Sequence, residues 1–155
     1  MLIKVTLFIT LLMYAFIVGQ SFFYILALSN ATKKMEAIAY IETRKLIDAE
    51  LQSKLSLVYY AALGASVLLT AFSVVNPNGV LFISSVIALI ALVIDVAIAL
   101  KGNMPLNKTI NSWSETQYPD NWQQVRSKWF SIYHIRQAVN IVGFVSLLAG
   151  LVFGL

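Results

Sequence analysis

Side chains able to do chemistry are few in this sequence, and they lie toward one end of its apolar segments. There is one histidine, His134. Histidine ordinarily titrates near neutrality, so it is the candidate general base; the alternative is a hydrogen-bonded histidine at the membrane interface. Asp95 stands inside an apolar run, where a carboxylate is a candidate functional group unless an ion pair accounts for it. Arg136 and Lys101 are the candidate partners. Arg136 is either an inward-facing donor or a side chain reaching out to lipid phosphates. It lies about 160° around a helix from His134, so the two do not squarely face one core. The stretch "KGNMPLNKTI" places two amides, Asn103 and Asn107, around Met-Pro-Leu. Tyr24, Tyr59 and Tyr60 are interface anchors or pocket walls.

Composition narrows the chemistry. The chain of 155 residues is 59% hydrophobic and 12% charged. Its mean hydropathy is +0.80. A soluble domain holds about a quarter charged residues, so the membrane class comes first. The absence of cysteine removes disulfides, thiolate metal sites and cysteine nucleophiles. One histidine leaves no paired-histidine metal or haem site in a single chain. The expectation is no metal and no cofactor. The net charge of +4 is distributed in a way that fits membrane orientation rather than nucleic acid.

The elements that must position these residues are four apolar spans, at residues 2–28, 55–75, 80–100 and 135–155. Each is near the ~20 residues that cross the hydrocarbon core, and backbone groups in lipid demand helices. The first apolar run is too long for a signal peptide. The predicted fold is all-α, an integral membrane bundle of four transmembrane helices forming a single domain. "NPNG", Asn76 to Gly79, suits a type I turn between spans two and three.

The other two connections are long. In residues 29–54, Tyr40, Ile47, Leu51 and Leu55 make an apolar stripe, predicting an amphipathic helix that runs into span two. Residues 101–134 predict a short helix after Pro105, then a second one capped by Asp120 or Asn121 and continuing into span four. Gly102 suits a left-handed end to span three, with Asn103 capping the short helix after it. Of the eleven lysines and arginines, only Lys4 lies away from these connections and the helix ends that meet them. The positive-inside rule puts both connections in the cytoplasm and both termini outside. The expected location is a bacterial inner (plasma) membrane. "GLVFG" at Gly150–Gly154 has helix-dimer spacing, or is close packing within the chain.

Polar residues fall on one face of each span: Thr6, Thr10, Tyr14 and Ser21 in the first, Ser56, Tyr59, Ser66 and Ser73 in the second, Ser84 and Asp95 in the third, Arg136 and Asn140 in the fourth. Those faces are expected to meet inside the bundle. The more demanding groups gather at the cytoplasmic ends, which predicts a pocket entered from that side.

Three elements of the chain resemble a family of small four-helix membrane proteins, the anthrone-oxygenase-like family. They are "GQSFFYILALS" near the end of span one, "NMPLN" from Asn103 to Asn107, and "KWFSIYHIR" entering span four, with Trp129, His134 and Arg136. The Asn-x-Pro-Leu-Asn element is the most specific. The resemblance implies a four-helix membrane fold and, for some members, oxidation of anthrones to anthraquinones without a cofactor. It implies His134 as base, tuned by Asp95, and Asn103, Asn107 and Arg136 as donors to a developing oxyanion. Tyr24 and Trp129 complete the expected substrate-binding set. Two further readings stand beside the enzyme: a binding or carrier protein for lipids, quinones or small hydrophobic or aromatic ligands, and a structural subunit. Membrane lipid is an expected partner; nucleic acid is not.

Overall fold

The computed structural model describes all 155 residues and is built almost entirely of helix. Four helices, α1 (Leu2–Lys33), α2 (Ala37–Ser73), α3 (Val80–Asn111) and α4 (Trp122–Phe153), are each long and apolar enough to cross a membrane. Consecutive helices pack antiparallel and α4 closes back on α1, so each element touches two neighbours around a ring. Apolar side chains such as Phe8, Phe16, Val67, Ile90 and Val142 remain exposed around the outside. That surface suits hydrocarbon, and the chain is an integral membrane bundle in contact with lipid.

At ~1.5 Å per residue, the 32 residues of α1 extend about 48 Å and the 37 of α2 about 55 Å. Both exceed the ~30 Å of hydrocarbon. The excess projects at the end that carries the long polar connections, called here the polar end. The termini and the Asn76–Gly79 turn occupy the opposite end. That turn is closed by a 2.9 Å bond from the Gly79 amide to the Asn76 carbonyl.

Within the membrane half, Leu7, Tyr14, Ile17, Leu69, Leu92 and Leu147 form the core. The Tyr14 hydroxyl donates to the Ala88 carbonyl of α3. The α3–α4 seam is made of small residues at heptad spacing, Ser84 and Ala91 against Gly143 and Gly150. A Cβ on Gly143 would stand 2.7 Å from the Tyr14 hydroxyl, and one on Gly150 would stand 2.9 Å from Ser84 Cβ. Gly150 of "GLVFG" therefore serves packing within the chain. The polar stripes face inward as predicted, except Ser56, which is exposed. Their hydroxyls are largely satisfied by carbonyls three or four residues back on their own helix, as at Thr6, Thr10, Ser21 and Ser73.

At the polar end a second core takes over, built on Tyr40, Ile110, Trp113, Trp122, Trp129 and Phe130. Two expectations are corrected here. Span one does not stop at Leu28: α1 continues to Lys33, and the break before α2 is only residues 34–36. Arg126 ends α1 from α4, donating from Nη1 to the Met35 carbonyl at 2.9 Å and the Thr32 carbonyl at 3.3 Å. Span three does not end at Gly102 either, since no glycine has a positive φ. The helix passes through a π turn at Ala99–Asn103, with the Met104 amide bonded to the Ala99 carbonyl, and carries on to Asn111. The wider turn accommodates Pro105, which lacks an N–H and crowds the carbonyl four residues back. Gly102 is small for a different reason: a Cβ there would lie 2.8 Å from Ile132 of α4. Of two other predictions, one holds in part and one holds. Only residues 37–54 of the predicted amphipathic helix are continuous with span two in α2, since residues 29–33 belong to α1. α4 runs unbroken from its cap position Asn121, which makes no side-chain cap bond.

Candidate functional site

The four helices part at the polar end around a cavity of about 650 Å³, within the roughly 300–1,000 Å³ of small-molecule sites. More than half of its lining residues are hydrophobic, from Phe23 and Leu28 of α1, Leu55 and Leu63 of α2, and Ala99 and Leu100 of α3. Two π turns, Tyr24–Leu28 in α1 and Ala99–Asn103 in α3, flank it. Such turns displace a helix face locally and are frequent at functional sites.

One wall carries a buried charge network. Asp95, completely buried on α3, accepts from Arg136 Nε at 2.7 Å and from the Tyr59 hydroxyl at 2.5 Å. Arg136 also reaches Asn103 Oδ1 at 3.3 Å, and the Asn103 amide donates to the Trp129 carbonyl at 3.1 Å. The network joins α2, α3 and α4. Arg136, Tyr59 and Asn103 line the cavity, while Asp95 sits behind them. Asp95 thus pairs with Arg136 and not with Lys101, which is exposed. Arg136 does not reach out to lipid.

A second network closes the mouth. Asn107 Oδ1 accepts from Trp129 Nε1 at 2.7 Å and from Arg44 Nη2 at 3.0 Å. Its amide donates to Asp48 at 2.9 Å, and Asn111 donates to the other Asp48 oxygen at 2.7 Å. Both asparagines of "NMPLN" therefore face inward, one helical turn apart, and each bonds Trp129 or its backbone. Trp129 stacks on Tyr133 with ring centroids 4.8 Å apart, and Tyr24 meets Tyr133 edge-on at 4.4 Å. Gln20 fixes the Tyr133 hydroxyl at 2.7 Å.

Of the residues singled out in the sequence, Asn103, Asn107, Arg136, Tyr24 and Trp129 all line this cavity. His134 does not. It is exposed on the opposite face of α4, stacked beside Phe130 and near Lys33 and Arg126. The two-residue spacing to Arg136 forces that separation, so His134 and Asp95 do not share a pocket. Tyr60 is exposed at the cavity's edge.

Sequence reasoning missed Arg44, Asp48 and Gln137, while Gln20, one of the polar groups at the cytoplasmic helix ends, does line the cavity. Arg44 carried a usable signal, because it falls between Tyr40 and Ile47 on the apolar stripe, where a cation is out of place. Gln137 Oε1, Asn140 Oδ1 and Arg44 Nε, all on residues that line the cavity, are buried without a hydrogen-bond partner in the protein. Buried polar atoms are seldom left so, and a cluster of them on one cavity is a feature of ligand sites.

No family model, characterised protein or solved structure matches the chain.

Proposed function

We propose that this protein binds a flat, largely apolar small molecule in the cavity at its polar end. The observation that carries this reading is the set of unpartnered buried polar atoms, Gln137 Oε1 and Asn140 Oδ1 among them, on an otherwise apolar and aromatic wall. An apolar body stacks against Trp129 and Tyr133, and one or two polar groups of the ligand satisfy the orphaned amides. Asp95 holds Arg136 in place from behind. The distribution of Lys and Arg favours a cavity open to the cytoplasmic side and both termini outside, and the membrane in this reading is the inner (plasma) membrane of a bacterium.

The test is native mass spectrometry of protein extracted in mild detergent, beside an Ala99→Phe variant whose added ring occupies the cavity. The native protein is expected to retain a small molecule that the variant lacks. Native protein that is repeatedly empty, or equal occupancy in the two, would refute the reading.

A second reading, cofactor-independent oxygenation of that ligand, is favoured by one observation: Asn103, Asn107, Trp129 and Arg136, which carry the resemblance to anthrone oxygenases, converge on the cavity. A substrate entering as its enolate needs no base on the wall. The enolate carbon gives its electrons to dioxygen and forms the new C–O bond. A proton from solvent converts the peroxide to a hydroperoxide, and loss of water leaves the ketone. Arg136 and the amides hold the negative charge. Oxygen uptake with an anthrone should survive His134→Ala and be lost in Arg136→Gln; the reverse pattern would exclude this assignment.

A further inference from the structure

Arg44 is 5% exposed, yet it makes no ion pair. Its one hydrogen bond runs from Nη2 to Asn107 Oδ1, a neutral acceptor, and its Nε is buried without a partner. The guanidinium sits over the Trp129 ring, its carbon 4.1 Å from the centroid, on the cavity lining. Arginine is always charged in proteins, and a buried cation with neither a counter-ion nor a full set of hydrogen bonds is costly. The neighbouring polar groups do not complete its shell. Asp48, one turn along α2, forms no ion pair with Arg44; its two oxygens accept from the amides of Asn107 and Asn111, and it meets Arg44 only through Asn107. Tyr40 contributes no anion: burial pushes its phenol above the ordinary range against the pull of Arg44 and Arg126. Tyr24 presents only a hydroxyl.

We propose that the ligand of this cavity carries an anionic oxygen group, carboxylate, phenolate or phosphate, which pairs with Arg44 at the mouth while the apolar body lies deeper. The inference rests on the cavity being a ligand site and adds the charge class of its occupant. It orients the ligand, anion toward the polar connections and rings toward Leu63 and Asn140. Arg44 and Trp129 form one recognition unit, since the guanidinium sits over the indole and Asn107 bonds both.

The experiment uses the full chain in phosphatidylcholine nanodiscs and two matched probes, 9-anthracenecarboxylate and its neutral carboxamide. Native protein should bind the carboxylate about ten- to a hundredfold more tightly. Arg44→Gln should erase that preference by weakening carboxylate binding far more than carboxamide binding, and Arg44→Lys should keep part of the preference. Folding of each variant is checked by its elution and its helical circular dichroism. Ala99→Phe should lose both probes, which separates binding from partition into lipid. Phosphatidylglycerol that competes with the carboxylate in native protein but not in Arg44→Gln supports the pairing and assigns the anion to a lipid headgroup; no competition assigns it to a small acid. Equal affinity of native protein for the two probes overturns the charge assignment and leaves the cavity reading standing. Binding of neither probe overturns both.

Discussion

At the scale of single residues, the Asp95–Arg136 pair decides how the site holds together. Asp95 has no exposed surface, and Arg136 is bonded to it, to Asn103 and, at 3.3 Å, to Tyr59. Removing one partner strands the other charge, which costs roughly 3–5 kcal/mol in a buried pair. Asp95→Asn and Arg136→Gln should each lower the melting temperature in detergent, and the double variant should recover most of the loss. Additive losses in the double variant would show that the two charges do not depend on each other. The sequence made Asp95, Arg136 and the two asparagines legible because an ionisable or amide group in or beside an apolar run must find partners. It left His134 open: rarity and a convenient titration range suggested a base, while the helical spacing to Arg136 set the two on different faces, and His134 lies outside the cavity. It passed over Arg44 because a basic residue in a polar connection reads as one more orientation charge. Only the tertiary contacts show that its head is covered by Trp129 and lacks a counter-ion.

At the scale of elements, the four helices are dictated directly by apolar length, and their continuity is not. A glycine followed by Asn-x-Pro reads locally as a stop, yet the chain carries its helix through that point on a π turn. Packing sustains it: α3 runs so close to α4 that Gly102 is needed beside Ile132, and Asn103 then bonds the Trp129 carbonyl. No local propensity reports that contact. Gly102→Leu should therefore pry the polar ends of α3 and α4 apart, at about 1–3 kcal/mol for overpacking. It should weaken ligand binding more than it weakens the membrane half. Combining it with Ile132→Ala should restore both. If Gly102→Leu binds ligand like the native protein, the close approach does not shape the cavity.

At the scale of the whole molecule, one end is a lipid-facing bundle with hydroxyls satisfied inside their own helices, and the other is an aromatic and charged vestibule. Helices longer than the bilayer is thick make that division possible, since the first turns of α2 and α4 stand clear of hydrocarbon. The orientation is open to direct measurement because the chain has no cysteine. A single cysteine at Asn78 should react with a membrane-impermeant maleimide in intact cells, and one at Thr116 only after permeabilisation; the opposite pattern would invert the proposed topology. The central claim, that the cavity beside Trp129 holds a flat apolar ligand, is tested most directly by the fluorescence of that residue. With Trp113→Phe and Trp122→Phe in place, Trp129 is the sole tryptophan. Titration with a planar aromatic acid should quench it saturably at one equivalent, and Ala99→Phe should abolish the response. Quenching that rises linearly without saturation, or that is unchanged by Ala99→Phe, would contradict the account.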